Sequence, residues 1–547
     1  KKNNGHVKMS LKEMAMHVVK SGDIKILPDR FNKTYFHWME NLHDWCISRQ
    51  IWFGHRIPVW YDKNDRAKFV VAVKSPGKNY EQDPDTLDTW FSSSLWTFST
   101  LLDKPLANDT LDSWISRNKQ KGKDLQMFHP TSVLETAYDI LFFWVARMIL
   151  MTTYIMGEIP FKTVYLHGLV RDKQGRKMSK SLDNGIDPLD MVNQFGADAT
   201  RLALVIGTAP GGDSRLYEEK IAGYRNFVNK IWNIARFILI SNEKKDVILE
   251  GGRMPTDRIH LKNTGSYRSA SASLQDDKLT LADEWILSRL QNLIHDVTDH
   301  FEKYEFSPAG EKIYDFLWHE LADWYVEISK SQDHSIAPEI LLDAIKLLHP
   351  FTPFVTEHIF QLLKQSGLIK SNDKFLAISS WPKANPKLRK LDIESDFAII
   401  QELVATLRDL RSTHNLPYSE KLDAALTTKN YKDLFQEQEL VVEQLTKIRI
   451  QVLPTKPVNQ ENFIREHKND FDIYLKLSRQ TIAEQEKRIT KERANLEQYV
   501  KSLEAKLANK NFIKNAPKEV VGKEKVKLKQ TQARLSRHSK LDSESNQ

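Results

Sequence analysis

The chain has 547 residues, 41% of them apolar and 10% aromatic, which is sufficient for three or four domains with sizeable cores. Its 80 Lys and Arg against 72 Asp and Glu give a formal net charge of +8, a basic balance that permits a polyanionic partner without requiring one. The single cysteine, Cys46, excludes a disulfide framework and a multi-cysteine zinc site. We therefore predict a soluble cytoplasmic protein without a metal site.

The chain opens without a signal-peptide pattern, and because its first residue is Lys1 we expect its natural start to lie elsewhere. The most apolar stretch runs from Ile140 to Met151. It contains Arg147 and is shorter than the roughly 20 residues of a membrane-spanning helix. We predict a buried helix there and no membrane partner.

Residues 1–44 mix a helical pattern at Leu11 to Val19 with an extended stretch at Ile24 to Pro28. From 45 to 217, short apolar segments predicted as strands alternate with helical patterns. Two of these strand segments are Phe69 to Val73 and Thr163 to Leu166. Such alternation is typical of an α/β domain built on a mostly parallel sheet.

Residues 218–384 are almost wholly helical in pattern, as expected of an all-α domain. Apolar residues recur there at helical spacing, namely at Phe227, Ile231, Ile234, Phe237 and Ile238. The stretch from Gly251 to Leu279 is rich in Ser, Gly, Asn and Asp and predicts a loop inserted between two helices. A smaller mixed region, 385–465, connects this domain to the tail.

The tail, residues 466–547, carries a heptad pattern. Its apolar residues are Leu475, Ile482, Ile489, Leu496 and Leu503, followed after a break at 509–517 by Val521, Leu528 and Leu535. Two heptad stretches around a short turn predict an antiparallel coiled-coil hairpin. Basic residues crowd its second arm, Lys523 and Lys527 among them, and favour either a nucleic-acid contact or an ordinary solvated face.

A basic loop follows the strand predicted near Leu166. It ends in Lys177-Met178-Ser179-Lys180-Ser181, and a helix is predicted to begin at Asp187-Pro188, because Asp is a good N-cap and Pro suits the first helical turn. Ligands of open α/β sheets bind at the carboxyl ends of strands, where this loop would lie. Two lysines flanked by hydroxyl groups suit a triphosphate, although the composition alone also fits a solvated loop.

The order Lys-Met-Ser-Lys-Ser resembles the signature of class I aminoacyl-tRNA synthetases, and further segments resemble their valyl-tRNA synthetase family. These segments are Asp44 to Gln50, Gly54 to Tyr61, Asp85 to Phe98, Pro130 to Met148, Arg225 to Phe237, Leu317 to Lys330 and Leu348 to His358. The isoleucyl and leucyl relatives differ markedly at Pro130 to Met148. The heptad tail is similar to the coiled-coil arm of the bacterial valyl enzymes.

This resemblance implies ATP-dependent activation of L-valine to valyl-adenylate, followed by transfer to tRNA(Val). ATP with Mg²⁺ would be a substrate, no cofactor would be permanently bound, and the enzyme would be a monomer. The implied catalytic residues are Lys177 and Lys180, and the implied ATP-binding residues add Met178, Ser179, Ser181, Asp139, His167 and Gly168. The amino-acid pocket would include Phe53 and Trp90. Contacts to tRNA are implied for Arg225, Asn226, Lys230, Trp232, Arg236, Lys523 and Lys527.

Three positions depart from the family pattern. Phe53 stands where a Trp is usual, Ala137 where a Gly lies beside the ribose, and Asp183 where a Gly follows Leu182. A smaller ring would loosen the valine pocket, an added methyl would crowd the ribose, and a carboxylate would place negative charge beside the pyrophosphate loop. These departures leave the rate and the affinity open.

The second nucleotide motif of the class, a His-x-Gly-His-type element, has no match in this chain, and the inserted editing domain is represented only by its terminal edge at 1–44. We therefore expect 45–217 to be the second half of a class I Rossmann-type catalytic domain and the chain by itself to be inactive. The alternatives are a non-catalytic tRNA-binding module, an isoleucyl or leucyl relative, and a coiled-coil scaffold. Valine-driven pyrophosphate exchange would distinguish an enzyme from a non-catalytic tRNA-binding module.

Overall fold

The computed structural model describes residues 9–106, 109–179, 182–242, 248–249, 259–260, 279–330, 336–458, 463–477, 479–509, 517 and 520–532. Contacts divide the chain into two units. The first unit comprises Lys1–Asp276, Leu290–Ala322 and Ile336–Pro386. The second comprises Asp277–Arg289, Asp323–Ser335 and Lys387–Gln547.

A three-stranded parallel sheet lies at the centre of the first unit, in the spatial order Lys25–Leu27, Phe161–His167, Thr131–Ala137. Its register pairs Ile26 with Val164 and Thr136 with Leu166. A two-stranded parallel extension follows, formed by Val170–Arg171 and Ser214–Arg215. The predicted α/β arrangement on parallel strands is confirmed.

The segment predicted to be the edge of an inserted domain belongs instead to this sheet. Leu11–Lys20, which begins with a capping box between Ser10 and Glu13, packs in one apolar core with the sheet, as does Arg30–Glu40. The core members from this segment are Ala15, Val18, Val19, Ile24, Ile26, Tyr35 and Met39. The boundary predicted after residue 44 is therefore wrong, because the strand Lys25–Leu27 needs Phe161–His167 as its hydrogen-bonding partner.

The apolar helix is longer than predicted. Its helical turns run continuously over Tyr138–Met156, with a 3₁₀ start at Tyr138–Ile140, a π-helical portion at Leu141–Ala146 and an α-helix at Arg147–Met156. Among the described residues this helix alone is long and apolar enough to cross a membrane, a test that buried core helices also pass. Leu141, Val145, Met148 and Ile149 lie in the core of the first unit, as predicted for a buried helix.

The predicted strand at Phe69 to Val73 forms, but outside the parallel sheet. Phe69–Val71 pairs with Val59–Asp62, which also pairs with Tyr80–Gln82, and both pairings are antiparallel. The side chains of Phe69 and Val71 are exposed. The neighbouring elements in the chain are the strands Ser48–Arg49 and Thr86–Leu87 and the helices Thr89–Ser93, Trp96–Ser99, Leu111–Lys121 and Lys123–Phe128.

The helical region is confirmed. Its described elements are Glu218–Asn242, Leu281–Glu302, Phe306–Asp315, a π-helical Phe316–Tyr325, Val326–Ser329, Ala337–Leu348 and Pro353–Gln365, with a short 3₁₀ turn at Leu376–Ile378. The helices Pro188–Phe195 and Ala197–Val205 precede this region, and a 3₁₀ turn at Pro386–Leu388 follows it. Of the predicted inserted loop, the structure describes the strand Ile259–His260, which pairs with Ile248–Leu249, and Leu279 just before the helix Leu281–Glu302. The rest of that loop lies outside the described residues.

The second unit holds a helix, Leu391–Thr413, and a four-stranded mixed sheet in the order Ile448–Val452, Leu422–Thr428, Phe471–Lys476, Phe463–His467. Two short helices, Lys432–Glu437 and Glu439–Thr446, connect its strands. Because the sheet continues to Lys476, the boundary predicted between residues 465 and 466 cuts through it. Leu475, predicted as a heptad residue, is instead a fully buried strand residue.

The tail helix follows that sheet and spans Arg479–Ala508. Residues 520–532 form a second helical segment. The side chains of Val500 and Leu503 are buried, as are those of Glu524 and Thr531 on the second segment. Contacts between the described parts of the segments include an ion pair of 3.3 Å between Lys506 and Glu524 and a hydrogen bond of 3.1 Å from Gln532 to Glu504. Leu535 lies outside the described residues.

Candidate functional site

The basic loop begins as a tight hairpin. Arg171 and Lys177 form an antiparallel bridge, and the amide of Asp172 donates to the carbonyl of Arg176 at 3.0 Å. Gly175 closes the turn with a φ of +84°, a left-handed conformation that favours glycine. The hairpin therefore leaves the side chain of Lys177 exposed at its end.

The helix predicted after the loop is confirmed. Pro188–Phe195 begins with Pro in its first turn, and the side chain of Asp187 accepts a hydrogen bond of 2.8 Å from the amide of Leu189. Asp187 therefore satisfies one of the free amides of the first turn. A strand, a basic hairpin and a capped helix follow one another as the sequence indicates.

Inside the loop, two polar side chains not singled out from the sequence tie the hairpin to the approach of the helix. Asp172 is buried and accepts hydrogen bonds from the amide of Arg176 at 2.8 Å and from Nε of Arg176 at 2.7 Å. Asn184 donates to the same carboxylate at 2.9 Å. These hydrogen bonds, led by that of Asn184, lower the pKa of Asp172 to about 2, so the carboxylate is ionised at neutral pH.

Met178 has a packing role in the structure. Its partly buried side chain contacts the apolar cluster that contains Met191, Ala203 and Ile221. The middle of the predicted ATP loop is thus anchored in a core, while Lys177 before it stays exposed. Lys180 and Ser181 lie outside the described residues.

The carboxyl ends of two parallel strands bring further predicted residues together. Ala137 and His167 are direct partners at the ends of adjacent strands, so Asp139 lies two residues beyond one strand end and Gly168 one residue beyond the other. Asp139 is exposed. His167 contacts Glu135 at 3.2 Å through Nε2 and the carbonyl of Gly168 at 2.7 Å through Nδ1. Asp139, His167 and Gly168 therefore share one edge of the sheet.

Gly168 packs against the backbone of a later segment. A Cβ atom at this position would lie 1.9 Å from the carbonyl oxygen of Gly212. Beside it, Asp213 accepts hydrogen bonds from the amide of Leu169 at 2.8 Å, the hydroxyl of Tyr138 at 3.1 Å and Nε of Arg171 at 2.5 Å. Although burial opposes ionisation, these donors lower the pKa of Asp213. The carboxylate thus joins the two strand ends to the start of the hairpin.

The two predicted pocket residues differ in exposure. The ring of Trp90 is half-buried, with its centroid 6.0 Å from that of Phe143, and its amide is capped by the buried carboxylate of Asp88 at 2.7 Å. Asp88 also binds Nε1 of Trp45 at 3.1 Å. Phe53, in contrast, is 89% exposed, so a closed valine pocket between Phe53 and Trp90 is not present in the described residues.

Five of the predicted tRNA-contact residues lie along the helix Glu218–Asn242. Arg225 and Asn226 are exposed, and Lys230, Trp232 and Arg236 are half-buried. Two of them contact other helices, since Nζ of Lys230 lies 5.0 Å from the ring centroid of Trp318 and Trp232 stacks on His358 at 5.4 Å. Arg225 and Asn226 therefore offer the more accessible polar groups.

The two predicted lysines of the tail lie on the helical segment 520–532. Both Lys523 and Lys527 are exposed. Nζ of Lys527 donates to Glu524 at 3.0 Å, and this contact raises the pKa of Lys527. Both positions can present a positive charge to a phosphate backbone.

Two cavities in the described part of the chain are lined by other residues. One, of about 620 Å³, is lined by residues that include Arg408, Arg411 and Tyr418 of the second unit. Another, of about 460 Å³, is lined by residues that include Lys220 and Tyr224 of the first unit. Neither contains a predicted site residue, so the strand edge and its hairpin define the candidate site. Within the described residues, no group of three His, Cys, Asp or Glu side chains is placed to hold a metal ion.

Sequence analysis missed Asp172, Asn184 and Asp213 as members of this site. All three are Asp or Asn residues in turns, and such side chains commonly hydrogen-bond nearby backbone groups. That signal was present at Asp172 and Asn184, which flank the lysine motif. For Asp213 it was absent, because its partners are 42 to 75 residues away in the chain.

The parallel sheet carries a lysine-bearing hairpin at its carboxyl edge, where open α/β sheets bind their ligands. Three family models match the chain in succession. Residues 3–74 and 64–217 match tRNA synthetases class I (I, L, M and V), residues 283–426 match the anticodon-binding domain of tRNA ligase, and residues 481–539 match the valyl tRNA synthetase tRNA binding arm.

Curated relatives extend the match along the chain. It is 40% identical over 544 residues to a valine–tRNA ligase of Clostridium acetobutylicum, which covers 95% of this chain and 57% of that protein. A valine–tRNA ligase of Bacillus subtilis is 37% identical over 526 residues, covering 93% and 55% respectively. The chain is therefore similar to class I tRNA synthetases, and to valine–tRNA ligases in particular, along 95% of its length, and it spans a little over half the length of these relatives.

Solved structures give weaker matches. An Agrobacterium radiobacter LeuRS in a ternary complex with tRNA and LeuAMS aligns with a TM-score of 0.46 and 21% identity, covering 65% of this chain and 45% of that one. A Mycobacterium tuberculosis methionyl-tRNA synthetase bound by methionyl-adenylate aligns with a TM-score of 0.44 and 17% identity, covering 64% and 60%. With TM-scores this low, the family models and the sequence relatives carry the assignment.

Proposed function

We propose that the complete protein ligates L-valine to tRNA(Val) in two ATP-dependent steps, through a valyl-adenylate intermediate, as a soluble cytoplasmic monomer. The observation that supports this most strongly is the 40% identity to a valine–tRNA ligase over 95% of the chain. ATP would enter with Mg²⁺ as a substrate. The basic hairpin at the carboxyl edge of the sheet provides a place for its phosphates.

In this proposal Lys177 and Lys180 stabilise the negative charge that builds on departing pyrophosphate, with Ser179 and Ser181 as supporting donors. Lys177 suits this role because its side chain is exposed at the end of a hairpin fixed to the strand edge. The carboxylate of Asp139 would accept hydrogen bonds from the ribose hydroxyls. Asp139 suits this role because it is exposed at the carboxyl edge of the sheet, which also carries His167 and Gly168. Met178 supports the loop from the core.

Valine would lie against the half-buried ring of Trp90, which Asp88 and Phe143 hold in place. Phe53 completes this pocket only if its exposed segment closes over the ring when valine binds. Specificity for valine over isoleucine or leucine is thus part of the proposal, and isoleucyl or leucyl activity is its alternative.

Contacts to tRNA would come from Arg225, Asn226, Lys230, Trp232 and Arg236 on one helix, and from Lys523 and Lys527 on the tail. The helix Arg479–Ala508 and the segment 520–532 would form an antiparallel coiled-coil hairpin, an arrangement supported by the Lys506–Glu524 ion pair and the buried Val500 and Leu503. The positive charges on this hairpin would bind phosphates, and this binding would weaken as the salt concentration rises.

The decisive experiment is amino-acid-dependent ATP–pyrophosphate exchange. In the complete protein we expect exchange with valine, less with isoleucine or leucine, and a Lys180→Ala rate lower by roughly 10²–10³, the usual cost of losing one transition-state donor. Faster exchange with isoleucine or leucine would support the alternative specificity. If no amino acid drives exchange while tRNA still binds, the second candidate, a non-catalytic tRNA-binding protein, replaces the first.

A further inference from the structure

Asn184 lies between the hairpin and the helix Pro188–Phe195, and three contacts occupy its amide group. Its Oδ1 accepts a hydrogen bond of 2.9 Å from the amide of Ser179. Its Nδ2 donates to Asp172 at 2.9 Å and to the carbonyl of Lys177 at 3.3 Å. If the amide were turned over, its NH₂ group would face the amide of Ser179, and its oxygen would face the carboxylate of Asp172 and the carbonyl of Lys177. All three contacts therefore specify the same orientation of the amide.

Asp172 gives Asn184 a fixed partner. Its carboxylate is buried and already held by two hydrogen bonds from Arg176 within the hairpin turn. The contact with Asn184 therefore links two segments that are 12 residues apart, on opposite sides of the lysine motif. Because the carboxylate is ionised, this contact belongs to the stronger, charge-assisted class of hydrogen bond.

The residue before Asn184 shows how the chain turns back onto the hairpin. Asp183 has a φ of +46°, in the left-handed region that Asp tolerates better than most residues other than glycine. The turn at Asp183 thus directs Asn184 towards Asp172.

We propose that Asn184 and Asp172 act together as a clamp of positioning residues, which fixes the backbone at Lys177 and Ser179 for the adenylation step. This inference rests on the proposed function, because it assigns Lys177 to the phosphates of ATP. If the loop is already held in one conformation, the entropy cost of ordering it does not add to the barrier of the adenylation step. The clamp acts through the backbone and contacts neither ATP nor valine.

Limited proteolysis tests the clamp without any requirement for activity. Trypsin cleaves after Arg176 and Lys177 only when the hairpin opens, so the initial cleavage rate there reports its opening. We expect Asn184→Ala to raise that rate about tenfold or more, since each of three lost hydrogen bonds is worth roughly a factor of five. The matched control is Asn193→Ala, an exposed Asn on the following helix. Equal cleavage rates for the two variants would overturn the proposal.

A polarity exchange separates a specific clamp from general loosening. In Asp172→Asn, an NH₂ group replaces one carboxylate oxygen and faces only donors, because Arg176 and Asn184 all donate to this side chain. In Asn184→Asp, two carboxylates face each other. Each single variant should therefore cleave faster. The double variant, Asp172→Asn with Asn184→Asp, restores one donor opposite one acceptor. We expect the double variant to cleave at least threefold more slowly than either single variant, on the order of one hydrogen bond. If the effects of the two substitutions simply add, the proposed contact between them is wrong.

Kinetics of the complete protein then connect the clamp to adenylation. Asn184→Ala should lower kcat for valine-dependent pyrophosphate exchange about tenfold while changing KM for valine less than about twofold, because the interaction is realised in the transition state. An unchanged kcat would overturn the positioning role. If the unsubstituted protein shows no exchange, the proposed function fails instead, and the proteolysis results still decide whether the clamp exists.

Discussion

Replacement of Gly168 by Ala tests the packing at the edge of the sheet. An added Cβ would lie 1.9 Å from the carbonyl oxygen of Gly212, 2.2 Å from its carbonyl carbon and 2.6 Å from the amide nitrogen of Asp213. Real Cβ contacts essentially never fall below 3.0 Å, so the two backbones must separate by about 1.1 Å. No flexible side chain can absorb this shift, because the obstructing atoms are all main-chain atoms.

The expected cost of Gly168→Ala follows from that clash. Overpacking of this kind destabilises proteins by about 3 kcal/mol when the backbone must move, less the roughly 0.4–1 kcal/mol gained because Ala restricts the unfolded chain. We therefore expect the free energy of unfolding to fall by about 2–3 kcal/mol. Separation of the two segments should also weaken the contacts of Asp213 with Leu169 and Arg171.

Urea-induced unfolding of the Gly168→Ala variant measures this cost, with Gly185→Ala as its control. Gly185 lies in the same region, has nothing within 4 Å of an added Cβ, and does not occupy the left-handed region. The control should thus keep its stability to within about 1 kcal/mol, or gain slightly. If Gly168→Ala were as stable as Gly185→Ala, the close approach of the strand end to Gly212 would be refuted.

Three further predictions concern single contacts. Asp198 is buried and accepts hydrogen bonds from the amides of Val355 at 2.7 Å and Phe354 at 3.3 Å. Asp198→Ala should therefore lower the free energy of unfolding in urea by about 1–3 kcal/mol, and Asp198→Asn should lower it less, because an amide oxygen still accepts. Equal losses for the two variants would contradict this. Asp183→Gly should raise the stability by about 0.5–1 kcal/mol in the same assay, because glycine adopts a φ of +46° without strain, and a loss would argue against that backbone conformation. The pKa of Asp172 is lowered from 3.8 to about 2, so its hydrogen bonds should stabilise the hairpin above pH 4 and be lost as the pH falls towards 2. The chemical shift of the Arg176 amide, measured by NMR on an arginine-labelled sample, should follow that titration. In Asp172→Asn this pH dependence should disappear.

The local features of this protein were predictable from its sequence. The basic loop with its lysine motif, the cap at Asp187 and the helical pattern of Glu218–Asn242 depend on residues close together in the chain, through composition, capping and helical periodicity. The resemblance carried by the lysine motif and its neighbouring segments likewise indicated the family to which the comparisons show similarity. The roles of individual site residues, like the activity of the complete protein, stay predictions.

The tertiary structure decided the features that depend on distant partners. The strand Lys25–Leu27 joins the parallel sheet through Phe161–His167, whereas the apolar Phe69–Val71 pairs in a separate antiparallel sheet, and nothing in either short segment specifies its neighbour. Leu475 fits a heptad by spacing, yet strand pairing buries it, because one apolar residue satisfies both periods. The link from Asp172 to Asn184 emerges only when the loop folds back on itself. Such contacts are set by the packing of the whole unit, which a local pattern does not encode.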